Sequence, residues 1–196
     1  MSSLSLTGRR PVLADLVPGA LTRDVVLVAA GAGLTGLAAQ VVLPVPGSPV
    51  PMTGQTFAAL LVGTALGWQR GAAALLLYLA MGAAGVPWFN NGTSGLFGAS
   101  AGYIVGFVFA AALVGKLAAQ GGDRTPLRMI GTMVLGNAVV YAVGVPWLMA
   151  SASLGFSGAF EKGMLPFLIG DALKIVVAAG LLPAAWALVR KVRDQD

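Results

Sequence analysis

Apolar residues fill four long tracts of this chain. No Asp, Glu, Lys or Arg occurs at residues 25–69, 71–115, 129–160 or 175–189. A helix that crosses a bilayer needs about 20 consecutive, mostly apolar residues. Each of the two longest tracts exceeds one such span and holds two, with a Pro- and Gly-rich break inside it. The pattern predicts six helices, over about 24–43, 53–68, 71–86, 99–118, 127–145 and 164–189. The first ends before Pro44. The second and third are short and meet at Trp68, Gln69 and Arg70. The fifth stops near Pro146, and the sixth carries Pro166 in its first turn, where a missing N–H costs little.

The expectation is an all-α integral membrane protein. Residues 1–22 read as a polar cytoplasmic leader without a signal-peptide pattern, 23–190 as one six-helix transmembrane domain, and 191–196 as a cytoplasmic tail. Six spans with both termini on one side place Arg9, Arg10, Arg23, Arg70, Lys116, Arg124, Arg128, Arg190, Lys191 and Arg193 together. The opposite loops hold Lys162. Basic residues stay on the cytoplasmic side, so both termini are expected inside, in a multi-pass protein of a cell membrane. The same topology accounts for the net charge of +5 without nucleic acid.

Composition removes much of enzyme chemistry. The 196 residues include 10% charged and 57% hydrophobic residues, 28 Gly, and neither Cys nor His. That excludes thiolate and imidazole metal sites, disulfides and a Ser-His-Asp triad. No metal or cofactor is expected. No G-x-x-x-x-G-K-[ST] pattern occurs, so ATP-driven work must come from another subunit. Gly31, Gly33 and Gly36 fit G-x-G-x-x-G, but the next acid is Asp123 and the setting is a long apolar run rather than a strand–turn–helix unit. The same residues give the first helix a small-residue face: Ala29 and Gly33 stand four apart, as do Ala32 and Gly36. Such spacing lets a neighbouring helix approach closely in lipid, either within the bundle or from a membrane partner. Asn91-Gly92-Thr93 fits a glycosylation sequon, and turn chemistry explains it equally.

Asp171 and Lys174 carry the most information. They lie i,i+3 on the sixth helix and share a face, and ionisable residues inside a membrane mark functional sites by default. One reading is a salt bridge that locks helices together. The other is a polar spot in an apolar cavity, offering an acceptor beside a donor to a urea or amide ring. The outer segments are uncharged: four prolines (Pro44, Pro46, Pro49, Pro51) stiffen the first, and Trp88, Phe89, Asn90 and Asn91 mark the second. They suit a lid over a small-molecule pocket or a pair of interfacial turns. Thr53 can cap the second helix. Asn137 and Tyr141 share a face of the fifth helix, where hydrogen bonding to another helix is the favoured role and cavity lining the alternative.

Five segments together resemble the BioY family, the biotin-binding S components of energy-coupling factor transporters. They are Pro49–Gln55; Tyr78 with Gly82, Gly85, Pro87 and Phe89; Gly102 and Tyr103 with Gly106 and Phe107; Tyr141 with Gly144–Leu148; and Leu165–Asp171 with Lys174. Where the family often shows Gly-Pro-Thr-Gly-Gly-Tyr, residues 98–103 read Gly-Ala-Ser-Ala-Gly-Tyr. The resemblance implies an S-component-like bundle that captures biotin from outside and is not itself an enzyme. An S component for a different vitamin or small heterocycle is the alternative. It also implies partners: a transmembrane coupling subunit of the EcfT or BioN type and ATPase subunits of the EcfA or BioM type. By position, Asp171 and Lys174 contact biotin's polar groups, Asn90 and Asn91 lie in the ligand-contacting turn, and Tyr103 is the aromatic that opens the fourth helix. Ala29 and Gly33, with Ala32 and Gly36 beside them, correspond to the partner-docking face.

Overall fold

The computed structural model describes residues 10–19, 21–96 and 98–194. Residues 1–9 of the leader, Arg9 included, its Ala20, and the last two residues of the tail lie outside the described residues. Among the described residues seven α-helices follow in order: α1 Leu21–Ala38, α2 Gln55–Leu66, α3 Trp68–Ala83, α4 Ala101–Ala118, α5 Pro126–Ser151, α6 Phe156–Gly163 and α7 Leu168–Arg193. Two short strands, β1 Val42–Leu43 and β2 Met52–Thr53, pair antiparallel with Val42 opposite Thr53. By length and apolar composition α1, α4, α5 and the stretch Phe156–Val192 suffice to cross a membrane. α2 and α3, at 12 and 16 residues, are shorter.

All six predicted helices are present, and three features depart from the pattern. α5 runs through Pro146 to Ser151. A helix interior tolerates proline when neighbouring helices hold the freed turn. Here Val145 and Leu148 are buried, and the Trp147 indole donates to the Gly98 carbonyl at 3.1 Å. α6 was not expected. It buries Ala159, while Phe156 and Phe160 stack one turn apart with ring centroids 6.1 Å apart. The proline-rich segment is closed at its base by β1 and β2, so it is a bracket rather than a free loop.

Close backbone approach builds the centre of the bundle. α2 and α3 are separated by Gly67 alone, whose φ of +82° lies in the left-handed region that favours glycine. Four residues earlier, Gly63 faces α4, where a Cβ would stand 2.6 Å from the Ala111 Cα. In the core Leu60, Leu75, Tyr78, Met129, Met133 and Leu148 are fully buried. Large apolar side chains also cover the outside, among them Leu37, Ile169, Leu173 and Val176. That distribution suits a bundle whose solvent is lipid.

Where α4 leads into α5, the described part of the leader is docked. Val12 is fully buried against Ala118 and Ala119. The Arg10 N–H donates to the Ala119 carbonyl at 2.8 Å. Asp15 meets Arg70 at 2.7 Å, and Arg70 meets Asp24 at 3.0 Å. Between α4 and α5, fully buried Asp123 accepts the Trp186 indole N–H of α7 at 2.6 Å. Arg124 lies 3.4 Å above the same indole ring and donates to the Pro11 carbonyl. Burial pushes the Asp123 carboxyl above its ordinary range, against the pull of Trp186 and Arg124.

Candidate functional site

A cavity opens between the first turn of α2, the first half of α4, the middle of α5 and the start of α7. It encloses about 490 Å³ of atom-free space, its open mouth included. The proline bracket supplies one wall through Val50 and Pro51, and Ile104, Phe107, Val140 and Phe167 supply apolar surface.

Both residues of the predicted charged pair reach this cavity. On α7, Ile169, Leu173 and Val176 face outward, whereas Asp171 is 5% exposed and lines the cavity with Lys174. Lys174 Nζ donates to Asp171 Oδ1 at 3.2 Å. The other carboxylate oxygen, Oδ2, accepts the hydroxyl of Tyr141 on α5. One buried carboxylate is thus held by a donor from its own helix and a donor from a second, with the hollow beside it. A buried carboxylate and a half-buried ammonium of opposite charge offset each other, while acceptor capacity remains on the carboxylate and donor capacity on the ammonium.

Aromatic packing fixes this arrangement. Tyr103, near the start of α4, lies edge-to-face with Tyr141 at 6.4 Å and donates to the Gly163 carbonyl at 2.8 Å. Gly144 makes room for it, since a Cβ there would meet the Tyr103 ring at 2.4 Å. Tyr141 fills both roles weighed for it: it bonds another helix and lines the cavity. Asn137, one turn away, is buried outside the lining, and its Oδ1 has no hydrogen-bond partner among the described residues.

The two asparagines separate. Asn90 lines the cavity, with Ser100 Oγ 3.5 Å from its Oδ1. Asn91 is exposed at φ 56° and does not line the cavity. Its part is to hold the left-handed turn, which short polar side chains tolerate. Of the two asparagines expected in the ligand-contacting turn, Asn90 alone is part of the cavity wall. The turn is tied down by Gln40, whose Nε2 donates to the Trp88 and Phe89 carbonyls and whose Oε1 accepts from the Gly92 N–H.

The small-residue face of α1 also divides. Ala29 is exposed, and a Cβ on Gly33 would meet nothing within 4 Å. Ala32 is buried, and a Cβ on Gly36 would stand 3.2 Å from the Trp88 ring. Ala32 and Gly36 therefore pack inside the bundle, and only Ala29 and Gly33 present an open surface. Gln55 was not singled out as a site residue, yet it is 3% exposed and lines the cavity. Thr53 acts near the place expected of a cap: its hydroxyl oxygen accepts from the Gln55 N–H at 3.3 Å.

Comparison with known proteins agrees with this geometry. A family model described as the BioY family matches residues 7–191. The biotin transporter BioY of Rhizobium etli is 37% identical over 172 residues, covering 81% of this chain and 90% of that protein. A probable biotin transporter BioY of Pyrococcus horikoshii is 33% identical, covering 80% of this chain and 91% of that protein. In fold, the chain matches a crystal structure of the S-component for biotin from an ECF-type ABC transporter with a TM-score of 0.73. The two are 21% identical, and the match covers 89% of this chain and 93% of that one.

Proposed function

The chain belongs to the BioY family, and from that premise we propose that it captures biotin as the substrate-binding S component of an energy-coupling factor transporter in the cell membrane. Six spans place both termini, the docked leader and the Asp123 cluster on the cytoplasmic side. The cavity and the proline bracket then lie toward the outside. ATP hydrolysis belongs to partner ATPases, and a transmembrane coupling subunit transmits it.

The chemistry of the ligand suits the cavity. Biotin joins a planar urea ring to an apolar thioether ring and a flexible carboxylate tail. Asp171 accepts a urea N–H, and Lys174 donates to the urea oxygen. Phe107, Val140 and Phe167 bury the apolar ring, while the tail runs toward the mouth past Asn90. A group left unmatched in this buried site would lose its hydrogen bond without recovering water, which is how the site selects its ligand. The observation that carries this reading is the Asp171 carboxylate, held by Lys174 and Tyr141 beside an apolar hollow. Docking of the coupling subunit falls to the open line of Ala29 and Gly33 on α1. A partner that binds the release state better than the capture state shifts the balance between them.

Isothermal calorimetry on the detergent-purified protein tests the proposal. Saturable binding of biotin at one site per chain supports it, and the absence of heat and of co-purified biotin overturns it.

A further inference from the structure

Gln55 is the first residue of α2 and almost fully buried, yet it forms part of the cavity wall that also includes Asp171 and Lys174. Its side-chain amide is held at one end. The Tyr78 hydroxyl lies 3.3 Å from Gln55 Oε1 and 3.2 Å from the Trp88 carbonyl, and its one proton is shared between these two acceptors. Tyr78 is itself fully buried and fixed by its neighbours. Its ring packs on Trp88 at 5.1 Å and on Phe89 at 5.2 Å, and its carbonyl accepts the Trp88 indole N–H at 3.0 Å. The other end of the amide, Nε2, has no hydrogen-bond partner among the described residues. The residue lines the cavity, so an acceptor seated there can take this N–H.

We infer that Gln55 is a third polar reader of the ligand, its amide N–H donating to the oxygen of the cyclic urea while Tyr78 holds the amide in that orientation. This rests on the reading of the cavity as a biotin site. A carbonyl oxygen has two lone pairs; Lys174 fills one and Gln55 the other. The site then recognises the urea oxygen by two donors and the urea N–H by one carboxylate. Tyr78 is a positioning residue, since it touches Gln55 rather than the ligand.

The test uses the full chain in detergent and two probes, biotin and protonated iminobiotin, in which an imino nitrogen replaces the urea oxygen and makes that group a donor. Gln55→Leu is expected to weaken biotin about tenfold or more, the scale of one hydrogen bond to a buried group. Gln55→Glu is expected to weaken biotin and to raise the affinity ratio of iminobiotin to biotin at least tenfold over wild type. Tyr78→Phe is expected to lower that discrimination in the wild-type background and to change nothing in the Gln55→Leu background. Gln55 variants that fold and keep both the wild-type affinity and the wild-type ratio overturn the inference. If those variants fail to fold, an unchanged ratio in Tyr78→Phe overturns it instead. Wild-type protein that binds neither probe removes the proposed function and this inference with it, so the two failures are distinct.

Discussion

Replacing Asp171 separates a ligand site from a structural strut. The carboxylate takes one hydrogen bond from Lys174 and one from Tyr141, and in the proposed complex a third from biotin. A hydrogen bond to a charged group contributes about 1.5–3 kcal/mol, and a neutral acceptor about half of that. Asp171→Asn keeps the shape and one carbonyl oxygen. It should weaken biotin by about 1–1.5 kcal/mol, or roughly tenfold. Asp171→Ala removes the acceptor and should cost about 2–3 kcal/mol, or roughly 30- to 150-fold. The alanine variant also leaves the Lys174 ammonium without its partner. Breaking a buried pair destabilises by about 3–5 kcal/mol, so the thermal midpoint must be followed alongside affinity. Asp171→Ala combined with Lys174→Met removes the stranded charge. That double variant should regain stability and stay defective in binding. Calorimetry and thermal unfolding on the same preparations give both numbers. Folded variants that all hold biotin within twofold of wild type refute the reasoning.

At Gly33 an added Cβ would meet no atom within 4 Å, so Gly33→Leu should leave stability and biotin affinity unchanged while co-purification with the coupling subunit is lost; full assembly would reject the assignment. Gly36→Leu drives a side chain into the Trp88 ring and should instead lower stability by about 1–3 kcal/mol, read as a fall in thermal midpoint. Tyr141→Phe keeps the ring against Tyr103 and removes its hydroxyl from Asp171, so biotin should weaken about three- to tenfold. Asp123 holds its proton more tightly when folded, because burial raises its carboxyl above the ordinary 3.8. Folded chains therefore bind more protons between that value and the raised one, and stability from this group falls as pH rises through that window; Asp123→Asn should flatten this part of a thermal-midpoint-against-pH profile.

The helices were legible because charge-free tracts are long and residues that break them are few. The charged pair was legible because Asp171 and Lys174 interrupt the last tract at a helical spacing. What lay on the far side of each feature was not. Ala29 and Ala32 differ by about 60° around α1 at 100° per residue. Both sit on one small-residue stripe, and only the position of Trp88 decides that the Ala32–Gly36 edge is covered. Pro146 reads as a stop because its own N–H is missing, but the packing that holds the following turn comes from elsewhere in the chain. Asn90 and Asn91 are chemically identical, and the left-handed turn at the second turns it out to solvent. Gln55 stands in the Pro49–Gln55 segment, but nothing in the sequence gives its side chain a partner. The hydroxyl that holds it lies 23 residues further along the chain.

The brevity of α3 has a mechanical consequence. Its 16 residues rise about 24 Å, against a hydrocarbon layer about 30 Å thick, and it turns Leu76 and Met81 outward. In the six-span arrangement the bilayer must pinch along this flank, at a fraction of a kcal/mol for each ångström of mismatch. The membrane itself then pulls on the capture subunit, and any neighbour that screens this flank from acyl chains releases that tension.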